Sequence, residues 1–471
     1  MRKKGMAAAA VTVAGALLLA ACSSDGSSGG DASEEPDTSG GDAPNELTFM
    51  FRGGEYDKLA YETAIAAFEE ETGADVTMII TDADQYATKL QAAIAGNQVP
   101  DVFYVEPGRI QGYVYANVLA DLTEYVDQSV IDNIWDFGVD AYRFNVETGE
   151  RGLDGDPFFA LPKDVGPFGF GYNTVMFEEM GLEAPSPDEP MTFAEFTDLA
   201  KQLTVDKDGD GELDQWGTGL NVVWNSQAFV WGAGADWISE DQKTVTVDTP
   251  EFAEALQWFA DLGLVEGVTP SAEQAQTLDT YQRWMAGEIG FFPVAPWDIG
   301  TYNQVAADNP DTFGYDVIPY PVANAGDDWA TWLGSLGIAV SENSKNKELA
   351  AQLATYLSTD LEAQKILAEN KVQIPNLIDY ATGEWLETDA LAAGWPANTK
   401  AFVEIAQEKG RPLPGTWTYT PEWYDNFWVG IESVVDTGDQ TAADYVAGKQ
   451  TEMQMLLDQS WVSADQAKAQ G

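Results

Sequence analysis

Histidine is absent from the 471 residues, and cysteine occurs once, as Cys22. The first absence excludes Ser-His-Asp and Cys-His catalysis, and the two together leave no ordinary zinc site. Basic residues are few, with 23 Lys and Arg against 78 Asp and Glu, for a net charge of -55. That balance argues against nucleic acid or an anionic membrane surface as partner, since both reward Lys and Arg. No GxxxxGKS/T phosphate loop and no well-placed GxGxxG occurs, and past its start the chain has no second long hydrophobic run. Carboxylate chemistry and simple binding survive these exclusions. What is present is apolar bulk: 45% hydrophobic and 12% aromatic residues, 16 of them Trp, enough for large cores in two or three domains.

The lone cysteine follows a basic start (Arg2, Lys3, Lys4) and a short apolar run, Met6 to Ala20. That is the layout of a secretory signal and is too short for a membrane-spanning helix. The segment Leu19-Ala20-Ala21-Cys22 resembles the bacterial lipoprotein signal, which implies cleavage of residues 1–21 and lipid on the Cys22 thiol. Buried acyl chains contribute about 0.8 kcal/mol per CH₂, so several of them hold a protein at a membrane. Residues 22–44, with SSDGSSGGDASEEPDTSGGDAP, have no aromatic or basic side chain and read as an acidic flexible tether. The expected location is the outer face of the cell membrane.

Beyond the tether, ELTFMF (46–51), ADVTMII (74–80) and VPDVFYVEP (99–107) read as buried strands. Helical spacing separates them at 57–72, ending at Gly73, and at 85–95, ending at Gly96. Strands alternating with helices imply a parallel sheet with ligands at the carboxyl ends of its strands. The loops there carry Glu55, Tyr56, Asp82, Gln85 and Glu106.

PDVFYVEPGRIQGYVYANVLADLTEYV (100–126) resembles the extracellular solute-binding proteins of ABC importers, specifically the carbohydrate-binding, maltose-binding-protein-like group. FALPKDVGPFGFGYNTVMFEEMGL with its later TFAEF helix start is similar to the family's crossover and its strand-to-helix step, although Phe193 stands where tryptophan is usual. DTPE before ALQWFADLGLV, RWMAGEIGFFPVAPWD (283–298) and LGIAVSENSKNKELAAQLATYLSTDLEAQKILAENKVQIPN (336–376) continue the likeness in order. The resemblance implies a two-lobed periplasmic-binding-protein-like α/β fold, with a hinge and an interlobe ligand cleft. The expected division is 45–160 plus 319–370 for the N-terminal lobe and 161–318 plus 371–471 for the C-terminal lobe. It also implies a carbohydrate ligand, ABC permease subunits as partners, and a monomer, which suits one-to-one handover. No cofactor is required.

A sugar offers apolar C–H faces and a rim of hydroxyls, so its site wants aromatic platforms together with carboxylates and amides. Trp297 follows the strand IGFFPVAP with Asp298 beside it, where the family places a ring-stacking aromatic. Trp332 and Gly334 lie just before LGIAV, and Trp224 and Trp231 follow TGLNVVW, read as a strand. Trp417 and Trp423 stand in PGTWTYTPEW, whose other reading is packing between lobes or in the core. Trp258 and Trp284 lie in amphipathic helices and read as core. For the strand-end carboxylates the alternative is a solvated loop charge.

DKDGDGELDQWG (206–217) places Asp206, Asp208 and Asp210 at the 1, 3, 5 spacing of an EF-hand loop, with Gly211 at the turn. Glu212 would lend a backbone carbonyl and Asp214 falls at the ninth position, but Gly217 replaces the bidentate glutamate at the twelfth. The loop is a candidate for structural calcium or a plain Gly-Asp turn. Two other functional readings stand beside sugar import: the same fold holding a polyamine or peptide, and a secreted glycoside hydrolase, which needs tryptophans and paired carboxylates and no histidine.

Overall fold

The computed structural model describes residues 43–149, 151–152, 155–220 and 222–469, without the side chains of 222–225. The signal, Cys22 and all but the end of the tether lie outside the described residues. The chain opens with the expected alternation. Strand β1 (Glu46–Arg52) leads into helix α1 (Glu55–Thr72), then β2 (Asp75–Thr81), α2 (Ala83–Ala95) and β3 (Val102–Val105). These three strands are parallel, in the order β2-β1-β3. The side chains of β1 and β3 are almost wholly buried because helices cover the sheet, whereas β2 at the sheet edge is only partly buried. The start of α1 is fixed by Asp57, whose carboxylate accepts the Gly54 N–H at 2.9 Å.

The sheet is completed from further along. β4 (Ala160–Pro162) and β11 (Gly337–Val340) join it antiparallel, giving the order β2-β1-β3-β11-β4. The intervening chain builds a second sheet, β7-β8-β6-β9, from β6 (Gly169–Asn173), β7 (Trp216–Thr218), β8 (Ile289–Val294) and β9 (Tyr315–Ile318). A three-stranded sheet of β5 (Gly166–Pro167), β10 (Thr331–Gly334) and β12 (Gly410–Arg411) lies in sequence beside the crossovers. Two separate cores follow. One contains Phe49, Tyr61 and Tyr104 around the first sheet, and the other contains Phe170, Phe229, Trp284 and Phe291 around the second.

The lobes are joined by three crossovers that meet at one buried junction. Asn376 is fully buried and donates its amide to the carbonyls of Pro162 (3.0 Å), Lys163 (3.1 Å) and Ser358 (3.2 Å). The Leu336 N–H donates to the Asp164 carboxylate at 3.0 Å, and the Ser335 hydroxyl to the Asp164 carbonyl at 2.6 Å. Lys163 forms an ion pair of 2.9 Å with Asp164, and its N–H donates to the Leu336 carbonyl.

One expectation is corrected here. The run TGLNVVW is not a strand: β7 ends at Thr218, and Val222–Gly232 is a helix. A short apolar run cannot be told from a buried helix by periodicity alone, and tertiary context decided this one. The substitution of Phe193 for tryptophan also has a structural answer, since its ring stacks on Trp258 with centroids 3.9 Å apart. Trp284 is fully buried, as its helical position suggested.

Candidate functional site

Three groups of candidate side chains lie at the ends of the strands and crossovers. An aromatic wall stands on the C-terminal side. Trp297 follows β8, and Trp332 projects from β10. Phe168, between β5 and β6, lies 5.3 Å from the first ring centroid and 5.1 Å from the second. The two indoles meet edge to face at 6.3 Å, and each remains partly exposed. Gly334 shares the strand face of Trp332 two residues on, and any side chain there would collide with the indole. The small residue expected at 334 is thus what lets the ring lie flat on the strand.

Beside this wall, Asp298 accepts a hydrogen bond from the Tyr281 hydroxyl at 3.0 Å. Burial pushes its carboxyl up to about 6, the Tyr281 hydrogen bond pulls it down, and the Asp57 charge pushes it further up. Asp57 is likewise raised, chiefly by burial, with Lys163 opposing and Asp164 adding to the rise. Asp57, at the head of α1, thus acts on Asp298, at the head of the helix Ile299–Asp308, and itself feels the charges of Lys163 and Asp164. Burial alone would discharge Lys163, yet Asp164, Tyr61 and Asp57 hold it above the usual lysine range. Tyr56 comes from the first lobe and lays its ring against Gly300 of the second, where a methyl group would stand 3.1 Å from the ring carbons.

The strand ends of the first lobe carry the remaining carboxylates. Glu106 is exposed and pairs with Arg52 at 3.3 Å. Glu55 and Asp82 line a crevice of about 310 Å³ together with Gly53, Lys58, Thr81 and Lys89. Gln85 is exposed one turn into α2. Trp417 is partly buried, edge-on to Phe137 at 6.1 Å and beneath the Arg151 guanidinium.

Two tryptophans do not offer a face. Trp423 is 0% exposed and donates its indole N–H to the Thr418 hydroxyl at 3.0 Å, which makes it core. Trp231 is 5% exposed, donates to Asp236 at 3.2 Å and has Arg411 over its ring. Both tryptophans sit on helices whose buried faces pack on the second core, Trp231 in Val222–Gly232 and Trp423 in Glu422–Asp425. The side chain of Trp224 lies outside the described residues. Sequence reasoning also passed over Asp57, Lys163, Asp164, Phe168 and Tyr281. A charged pair set into the otherwise apolar ALPKDVGPFGF was the available signal for two of them.

In the loop after the helix Phe193–Leu203, carboxylate oxygens of Asp206, Asp208 and Asp210 lie within 4.8 Å of one another. Asp206 accepts the Gly209 and Gly211 N–H groups, and these hydrogen bonds lower its pKa. Asp214 accepts from Lys207 at 2.7 Å, and Glu212 and Asp214 are exposed. Gly217, packed against the Ala200 carbonyl, has no side chain and so offers no twelfth-position carboxylate.

The family model for bacterial extracellular solute-binding proteins matches residues 54–365. The chain belongs to this family. Among curated relatives of this solute-binding protein, the maltotriose-binding protein of Pyrococcus abyssi is 20% identical over 328 residues. That match covers 68% of this chain and 64% of the relative, so the chain spans just under two thirds of that protein's length. The putative ABC transporter periplasmic-binding protein YcjN of Escherichia coli is 23% identical, covering 85% of this chain and 86% of that protein. Among solved structures, the ABC substrate-binding protein Lmo0181 from Listeria monocytogenes, in complex with cycloalternan, superposes with a TM-score of 0.72. It is 23% identical and covers 88% of this chain and 99% of that one, a likeness that carries the fold alone.

Proposed function

We propose that this solute-binding protein captures an oligosaccharide outside the cell and delivers it to the membrane permease of an ABC importer. The observation that carries the reading is the aromatic wall of Trp297, Trp332 and Phe168 beside the Asp298 carboxylate, at the mouth of a three-crossover hinge. Flat apolar rings suit the C–H faces of sugars, and half-buried carboxylates accept their hydroxyls. Relatives whose names include maltotriose and cycloalternan support the same ligand class. Capture, closure and handover are the whole task, with no bond made or broken.

The test is thermal unfolding against mono- and oligosaccharides, with product analysis alongside. Ligand at 100 times its dissociation constant stabilises by about 2.7 kcal/mol. A shift with one sugar class and no product is the expected result. Silence across the panel would remove the sugar and leave a polyamine or peptide, and a shift with spermidine that fades steeply with salt would assign the polyamine. Enzyme-like turnover would overturn the reading.

The reading extends to attachment at Cys22, with Cys22→Ser expected to release the protein into the medium. It also extends to structural calcium at Asp206, Asp208 and Asp210, with the Glu212 carbonyl and Asp214 as further oxygens. Millimolar calcium should raise the melting temperature of the wild type, and Asp208→Asn should remove that response.

A further inference from the structure

Arg151 is the least expected member of the cleft surroundings. It belongs to none of the strand-end loops, yet its side chain reaches three of the segments that frame the site. One terminal nitrogen donates to the Thr416 carbonyl at 2.6 Å. The other donates to the carbonyls of Pro107 at 2.6 Å and Ala141 at 2.8 Å. The guanidinium carbon lies 5.6 Å from the Trp417 ring centroid, within cation–π range. At Gly152, the next residue, an added methyl group would stand 3.3 Å from the same indole, so the backbone there runs close to the ring.

Two of the three segments tied together adjoin candidate ligand groups, and the third, at Ala141, anchors the fork to the first core. Pro107 follows Glu106, whose carboxylate stands at the end of β3, and Thr416 precedes Trp417 in the turn Pro414–Trp417. The turn departs from its own lobe here. Its neighbours Leu413 and Trp423 pack on the second core, while Trp417 packs on the first, beside Phe137. A planar fork with five donors in fixed directions sets the spacing of three carbonyls at once; a lysine ammonium on a flexible stem does not.

We infer that Arg151 is a positioning residue for ligand capture, fixing the Trp417 ring and the Glu106 loop at one separation so that a sugar face and a sugar hydroxyl are met together. It touches no ligand itself; it acts through Trp417 and through Pro107. This inference rests on the sugar-capture reading for its purpose, but the geometry it assigns is testable without a ligand.

The experiment uses the purified protein carrying 5-fluorotryptophan, with the Trp417 fluorine resonance assigned by its loss in Trp417→Phe. Affinities for maltose, maltotriose and maltoheptaose are measured in parallel. Arg151→Met should shift and broaden the Trp417 resonance and weaken maltotriose binding about tenfold. Arg151→Lys should do nearly the same, because charge without the fork does not restore the geometry. In a Trp417→Ala background, Arg151→Met should cost much less than tenfold, since the shared ring is already gone. A Trp417 resonance unmoved by Arg151→Met, or affinity losses that multiply in the double variant, would overturn the inference. A purely structural arginine would lower the melting temperature of Arg151→Met and leave the maltotriose affinity and the resonance alone. If the wild type binds none of the three sugars and the resonance still responds, the ligand is of another class and the positioning geometry stands.

Discussion

At the scale of single residues, the tryptophans whose side chains are described separate by what covers each ring. Trp297 keeps part of its surface open beside Phe168 and Trp332, so Trp297→Ala should weaken sugar binding about 10- to 100-fold with little change in melting temperature. Trp423 is the converse case. Its ring is enclosed and its N–H is committed to Thr418, so Trp423→Ala should lose about 3–5 kcal/mol of stability while the folded fraction binds normally. Calorimetry with and without sugar measures both. Asp298 supplies a pH signature. Its folded value of about 6 exceeds the ordinary 3.8, so its contribution to stability is full below about pH 4 and is lost as pH rises through about 6. A sugar hydroxyl donating to the ionised form works in the opposite direction, so affinity should rise as pH rises through about 6. That dependence should vanish in Asp298→Asn, whereas a flat wild-type profile would remove Asp298 from the contact set.

At the scale of elements, the first strand–helix–strand units were legible because their signals agree. Apolar runs are bounded by Gly73 and Gly96, and the spacing between them changes from that of a buried strand to that of a helix. The order of the strands in space was not legible, because β11 pairs with β3 through contacts far apart in sequence. The helix Val222–Gly232 was misread for a related reason: an apolar segment has no local mark of being a helix when all its sides are buried. The candidate site shows the same split. Trp297, Trp332 and Asp298 were readable from a strand end and a resemblance, whereas Asp57, Lys163 and Arg151 act through partners that only folding supplies. One element contact yields a further test. Tyr56 on α1 meets Gly300 on the helix Ile299–Asp308 with no room for a side chain. Gly300→Val should therefore hold the lobes further apart, raise the dissociation constant about tenfold and enlarge the radius of gyration in small-angle scattering.

At the scale of the whole molecule, the three crossovers behave as one joint because Asn376 ties two of them to the helix end at Ser358. Asn376→Ala removes the amide donor from three carbonyls, of which Pro162 keeps the Ser358 hydroxyl; a buried carbonyl left without any donor costs about 1–3 kcal/mol. Chemical denaturation should show the loss of stability, and scattering a broader range of lobe separations. The net charge of -55 acts at the same scale, keeping the body soluble and repelled by anionic surfaces.

The strand order β2-β1-β3-β11-β4 also sets a timetable. A chain emerging amino end first can assemble β1, β2 and β3 early, but β4 has no neighbour in that sheet until β11 arrives to fill the gap. Everything that builds the second sheet must appear in between. The first lobe therefore waits, with the inner edge of β3 unpaired, until most of the protein has been made. Completion of the first lobe thus depends on a strand more than two thirds of the way along the chain.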